Sequence, residues 1–97
     1  MLAIGTQARF SIGETEKIVV RAAIRQYCSD PDAVRRIVRA IEKPSRETGR
    51  IIMAAEDRGI LVETLQAAIG RIHAETEGRG QLTCQALTAV INKINGN

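Results

Sequence analysis

Aromatic residues are nearly absent from the 97-residue chain: Phe10 and Tyr27 are the only two, and there is no tryptophan. A hydrophobic core must therefore be built from Ile, Val, Leu and Ala, which fill helix–helix interfaces well but bury less area per side chain than aromatic rings do. The length predicts a single domain, residues 1–97. Because such a core is thin, we expect a second copy of the chain to cover part of it, which predicts a homo-oligomer.

Groups that carry out catalysis are also scarce. His73 is the only histidine, and the two cysteines, Cys28 and Cys84, stand far apart in the sequence. A zinc site needs three or four such ligands at recurrent spacings, and no glycine-rich phosphate-binding loop is present. We therefore expect a protein that is not an enzyme, has no metal or cofactor, and acts by binding another macromolecule. The cysteines are interpreted as buried thiols in a reducing compartment, with a disulfide left open.

Targeting and membrane segments have no counterpart in the sequence. The first five residues lack the basic and long apolar regions of a signal peptide, and no apolar run approaches the length of a membrane span. These absences predict a cytoplasmic protein without a membrane partner.

Charge is unevenly distributed along the chain. Residues 1–44 carry eight basic and five acidic side chains, whereas residues 45–97 carry six of each, so the net charge of +3 belongs to the first part. An acidic partner, DNA or an acidic protein surface, is therefore expected to dock there.

Apolar periodicity predicts an all-α fold of four to five short helices in a small orthogonal or bundle-like domain. The first helix is expected over Glu14–Tyr27, with Ser11 and Glu14 at capping-box spacing. A second helix should begin at Asp30-Pro31 and stop before Pro44. The last should run from residue 82 or 83 to residue 94.

Two segments leave alternatives open. Residues 1–12 alternate polar and apolar side chains over Gln7–Ile12, which fits a strand that pairs with its symmetry mate or an extended arm, and we favour the arm. Residues 45–77 form either one long helix or two helices that break at Gly59. Glycine inside a helix costs about 1 kcal/mol relative to alanine, which favours the break.

One motif points to DNA. Ala55-Glu-Asp-Arg-Gly59-Ile60, followed by Leu65 and by Ala68-Ile69, resembles the helix-turn-helix of phage repressors of the lambda Cro type, over residues 50–70. Alanine permits close approach of two helices, glycine takes the left-handed turn, and Leu65 packs the second helix on the first. The resemblance implies a recognition helix in the major groove. A continuous helix or a plain helical hairpin would also give this pattern.

The leading hypothesis is therefore a small DNA-binding regulator of transcription. Basic side chains on the first two helices would contact phosphates, and polar side chains near the motif would read bases. The same basic stripes are also typical of solvated helix faces. The predicted nucleic-acid-binding residues are Lys17, Arg21, Arg25, Arg35, Arg36, Arg39, Arg50, Glu63, Thr64, Gln66 and Arg71.

The sequence also resembles a second family of DNA-binding proteins, and a function other than DNA binding is left open. A short strand at Gln7–Ile12 followed by two helices resembles ribbon-helix-helix repressors, a family in which paired strands read the major groove; here Gln7 and Arg9 would be the readers. Alternatively, the chain is a protein interaction module or phage-type inhibitor that blocks a larger partner through the apolar pair Leu61 and Val62. A weaker option is a helical oligomer that holds a small anionic ligand.

Overall fold

The computed structural model describes residues 7–96, and the predicted arm over residues 1–6 lies outside the described residues. The prediction of a mainly helical domain with four helices is confirmed, but a small two-stranded sheet accompanies them. The elements are β1 Gln7–Phe10, α1 Glu14–Tyr27, α2 Pro31–Glu42, β2 Ile51–Ala54, α3 Ala55–Glu75 and α4 Gln81–Ile94.

The starts of α1 and α2 follow from local capping. The backbone N–H of Gly13 donates to the Glu16 carboxylate at 2.7 Å, so the predicted capping pair of Ser11 and Glu14 is wrong, although the helix begins where it was expected. Asp30 caps α2: its carboxylate accepts from the N–H groups two and three residues further on, at 3.0 and 3.3 Å. Both helices therefore begin with a carboxylate that satisfies free N–H groups.

The two strands form an antiparallel ribbon. Phe10 lies opposite Ile51, and Gln7 lies opposite Ala54. Of the two alternatives for this segment, the favoured arm is wrong for residues 7–10, and the partner strand belongs to the same chain rather than to a symmetry mate. Phe10, Ile51 and Met53 are buried under the helices. Because side chains alternate along a strand, the intervening residues lie on the other face.

The predicted break at Gly59 is wrong, since α3 runs without interruption from Ala55 to Glu75. The surroundings of Gly59 are open, and its backbone is helical. The helix tolerates glycine there because Leu61, Leu65 and Ala68 fall on one face and are completely buried. Burial of a leucine contributes about 1.5–3 kcal/mol, which outweighs the cost of about 1 kcal/mol for an internal glycine.

The order strand-helix-helix occurs twice, as β1-α1-α2 and as β2-α3-α4. We call these the N-terminal half (residues 7–42) and the C-terminal half (residues 51–94). A shift of 41 positions carries the first residue of α1, Glu14, onto the first residue of α3, Ala55. The same shift carries the buried Val20 onto the buried Leu61. The low similarity of the paired residues hides this repeat in the sequence.

The halves interlock rather than stack. Within residues 7–96, α2 packs on β2 while α4 packs on β1, and α1 contacts α4 as α2 contacts α3. These four contacts exchange with one another when the halves are exchanged, whereas over the same residues α3 contacts both strands and α1 contacts neither, so the twofold arrangement is approximate. The two halves consequently share one hydrophobic core, whose fully buried large side chains are Val20, Ile24, Ile37, Ile41, Ile51, Leu61, Leu65, Leu87 and Val90.

Candidate nucleic-acid interface

The ribbon has one face that the helices leave uncovered. Its side chains are those that alternate with the buried ones, together with the residue just beyond the paired end of each strand. This outer ribbon face consists of Gln7, Arg9 and Ser11 on the first strand and Arg50, Ile52 and Ala54 on the second. All are exposed except Ile52, which is half-buried. On the first strand the side chains of this face are all polar, and on the second strand one basic residue is followed by two apolar ones.

Arg9 and Arg50 occupy equivalent positions on the two strands, since the 41-residue shift carries one onto the other. Within the described range, neither guanidinium forms an ion pair. The backbone around Arg50 is fixed: its N–H donates to the Thr48 hydroxyl at 3.2 Å, and its carbonyl accepts from the Ser45 N–H at 2.8 Å. Gly49 supplies the left-handed turn with φ of 71°. The ribbon therefore exposes two arginines without ion-pair partners in the described residues, and backbone hydrogen bonds hold the position of Arg50.

Two ion pairs join the halves beside the ribbon. Arg36 on α2 binds the largely buried Asp57 in the first turn of α3, with its Nη2 at 3.0 Å and its Nε at 3.2 Å from the carboxylate oxygens. Lys93 on α4 binds Glu16 in the first turn of α1 at 2.7 Å. The 41-residue shift carries Glu16 onto Asp57, so the two carboxylates are counterparts, each bound by a basic residue from the other half.

These pairs have electrostatic consequences. The backbone N–H of Gly13 and then the Lys93 ammonium lower the pKa of Glu16 below its usual range. Hydrogen bonding to Asp57 raises the pKa of Arg36. Arg36, predicted to contact nucleic acid, is therefore held by a carboxylate of its own chain.

The remaining predicted phosphate-binding residues gather at the helical hairpin of the N-terminal half. A groove of about 420 Å³ runs between α1 and α2 over a floor of Val34 and Val38. Its charged lining is Arg25, Arg35, Arg39, Glu42 and Lys43. Lys17 and Arg21 line a neighbouring depression beside Pro44. Arg35 is paired with Asp32, and Lys17 with Glu14. The structure thus brings the two predicted basic stripes together.

The predicted base-reading residues on α3 are not assembled into a site. Thr64 is buried, and Leu61, predicted as an interaction surface, lies completely inside the core, so both assignments are wrong. Val62 is half-buried against the same core. The reason is the continuous helix, which turns positions 61, 64, 65 and 68 toward one side.

The other predicted residues of α3 are exposed but dispersed. Glu63 and Gln66 lie at the surface. The Arg71 guanidinium lies 5.8 Å from the centre of the Tyr27 ring and 3.9 Å from a Glu75 oxygen. These contacts are typical of a helix surface, and within Ala55–Glu75 no second helix begins after Gly59.

Sequence reasoning missed β2 and with it half of the outer ribbon face. The signal was present in Ile51-Ile52-Met53, a short apolar run with two β-branched residues that favours a strand. Its assignment to a helical segment concealed the equivalence of Arg9 and Arg50.

Other kinds of site find no support in residues 7–96. No group of three or more His, Cys, Asp or Glu there is placed to hold a metal ion. Cys28 and Cys84 are free thiols and half-buried, less enclosed than predicted. None of the described helices combines the length and the apolar character needed to cross a membrane. Comparisons with protein-family models, with curated proteins and with solved structures found no match to the chain.

Proposed function

We propose that this protein is a small DNA-binding regulator of transcription that inserts its outer ribbon face into the major groove. The observation that carries the proposal is the pair Arg9 and Arg50, exposed at equivalent positions of an antiparallel ribbon and without carboxylate partners among the described residues. The major groove admits a two-stranded ribbon, and arginine binds the O6 and N7 atoms of guanine with two hydrogen bonds. The resemblance to ribbon-helix-helix repressors supports the same mode of docking.

The ribbon takes the role that the helix-turn-helix resemblance assigns to a recognition helix. That resemblance requires a turn at Gly59, where α3 is continuous. It also requires exposed readers in the turn that follows, where Leu61 and Thr64 are buried. DNA binding is therefore proposed through the strands and not through α3.

Phosphate contacts are assigned to the basic side chains of α1 and α2. Lys17 and Arg21 lie in the first two turns of α1, and three residues separate the end of β1 from the start of α1. Arg25, Arg39 and Lys43 continue the basic surface along the groove. Phosphate binding releases counterions, so affinity should fall steeply with salt. The proposal includes a cytoplasmic location.

The test is fluorescence anisotropy of labelled duplex DNA across a salt series, with Arg9→Ala and Arg50→Ala. Each bidentate contact contributes about 1–3 kcal/mol, so each variant should lose affinity by about 5-fold to 160-fold. Arg79→Ala is the matched control: its guanidinium binds the Thr76 carbonyl in the α3–α4 turn, at the far end of a helix of 21 residues, about 30 Å long. No binding at low salt, or equal losses in all three variants, would overturn the proposal.

A specific observation favours a second candidate, a protein interaction module. Ile18 and Leu82 are large aliphatic residues that are 59% and 83% exposed. Ile18 borders an apolar groove of about 250 Å³ between α1 and α4, which Tyr27 and Leu87 also line. Exposed apolar surface of this kind is typical of protein interfaces. A partner that is captured by the wild type and lost with Ile18→Gln, while DNA affinity is unchanged, would support this candidate.

A further inference from the structure

One chain supplies both strands of the outer ribbon face, and the two strands carry different side chains. Resting on the proposed function, we infer that the DNA site is non-palindromic and that one chain occupies it. A dimer of identical subunits presents the same side chains twice and therefore favours an inverted repeat. This chain has the approximate twofold arrangement of such a dimer without its identity of sequence.

Both strands carry an arginine at the equivalent position of the outer ribbon face. Arg9 lies opposite Ile52 in the ribbon, and the twofold relation exchanges Arg9 with Arg50. An antiparallel ribbon in the groove directs its equivalent positions toward the two ends of the site. Each half of the DNA site is therefore expected to contain a guanine, because guanine is the base that arginine contacts most often through paired hydrogen bonds.

The differing elements are the neighbours of these arginines. On the first strand Arg9 is flanked by Gln7 and Ser11, both exposed and polar. A glutamine in the major groove pairs with the N6 and N7 atoms of adenine. On the second strand Arg50 is followed on the same face by Ile52 and Ala54. Apolar side chains contact the methyl group of thymine. Because Ile52 lies opposite Arg9 and Ala54 lies opposite Gln7, all of these contacts fall at the Arg9 end of the ribbon. The half-site that Arg9 reads should thus prefer adenine and thymine beside its guanine, and the half-site that Arg50 reads should show neither preference.

The backbone contacts are expected to be asymmetric as well. Arg25, Arg39 and Lys43 line the α1–α2 groove of the N-terminal half. In the C-terminal half, the part of the α4 surface formed by Gln85, Thr88 and Asn92 has no charge, and Lys93, the basic residue of this helix, is paired with Glu16. Phosphate protection should therefore extend further on the side of the DNA that meets the N-terminal half.

Selection of bound sequences from a duplex library with a randomised centre tests the inference, with native mass spectrometry of the selected complex. We expect a non-palindromic motif with one guanine in each half and one chain per duplex. Arg9→Ala should remove the preference for one guanine, and Arg50→Ala the preference for the other. Ile52→Ser copies the equivalent Ser11 onto the second strand and should weaken only the thymine preference.

The outcomes separate this inference from the proposed function. Failure to enrich any sequence together with no duplex binding at low salt overturns both. Binding that yields a palindromic motif, two chains per duplex, or no sequence preference overturns the inference alone. Arg79→Ala serves as the control and should return the wild-type motif. Because Arg9, Arg50 and Ile52 lie outside the fully buried core, circular dichroism of each variant should match that of the wild type.

Discussion

The N-terminal and C-terminal halves build the same strand-helix-helix arrangement from residues that have little in common. Their cores correspond by type and not by identity: Val20 is the counterpart of Leu61, and Ile24 of Leu65. Their surfaces differ more, since basic side chains crowd α1 and α2 while α4 has a single one, Lys93. The fold tolerates both surfaces, so the basic one is not a requirement of the fold. Its concentration in one half is therefore consistent with the proposed DNA contact.

The largest expected effect concerns the shared core. Leu61→Ala should lower the free energy of unfolding by about 2–5 kcal/mol, because it removes a fully buried side chain at a helix crossing. The equivalent Val20→Ala should cost less, since fewer apolar groups are lost. Urea denaturation followed by circular dichroism measures both. Leu82→Ala, at a site that is 83% exposed, is the control and should stay within about 0.5 kcal/mol of the wild type. A stable Leu61→Ala protein would contradict the continuous α3.

The next effect compares the two ion pairs between the halves. Arg36→Met should lower the melting temperature by several degrees, because it leaves the largely buried carboxylate of Asp57 without its partner. Lys93→Met should lower the melting temperature less, since Lys93 makes a single contact and the side chain of its partner Glu16 is less buried than that of Asp57. Differential scanning calorimetry measures the melting temperatures of both variants and shows which one falls further. If Lys93→Met were the more damaging variant, the assignment of Asp57 as the more buried partner would be wrong.

Gly59→Ala distinguishes one continuous helix from two helices, because it should raise the stability of the protein in the first case and lower it in the second. In the continuous α3 the position is helical with open space around it, so alanine should stabilise the protein by about 0.5–1 kcal/mol. In a left-handed turn the same substitution would be destabilising. Gly49→Ala provides that contrast within the chain, because Gly49 has a φ of 71° and should lose stability. The urea midpoint should rise with Gly59→Ala and fall with Gly49→Ala.

The smallest effect depends on pH. Glu16 has a pKa lowered by the Gly13 N–H and by Lys93. Its stabilising contribution is therefore complete above the ordinary glutamate pKa of about 4.3 and is lost as pH falls through the lower pKa of the folded state. The stability difference between the wild type and Glu16→Gln should narrow over that range. Gln66→Ala, on the exposed side of α3, removes no titratable group; it is the control and should show a constant difference.

Helix positions were largely predictable because their signals are local. Asp30 before Pro31 marks the start of α2, and the predicted α1 has the bounds that the structure shows. The strand at Gln7–Phe10 was visible as alternation, but its partner was not, since four-residue strands carry too little pattern to separate them from the following helix. The continuity of α3 depends on tertiary burial of Leu61 and Leu65, which overrides the local preference of Gly59.

The candidate site also has a part that local sequence predicts and a part that depends on contacts between distant residues. The basic stripes of α1 and α2 were predicted from helical spacing, and they do gather at one groove. Arg50 was named for its charge alone. Its equivalence with Arg9 requires the pairing of β1 with β2, a contact between residues far apart in sequence. Thr64 was a wrong choice of reader, because its exposure was inferred from a turn that the chain does not make.

The pairing of β1 with β2 also sets the order in which the molecule can assemble. Phe10 meets Ile51 only after the chain has closed a loop that contains all of α1 and α2. Loop closure of this length has an entropic cost that neighbouring helical turns do not bear, so ribbon contacts should be absent or weak in the folding transition state. Substitutions of Phe10 or Ile51 are then expected to accelerate unfolding while leaving the refolding rate nearly unchanged. The surface proposed to bind DNA would be the last part of the protein to form and the first to be lost.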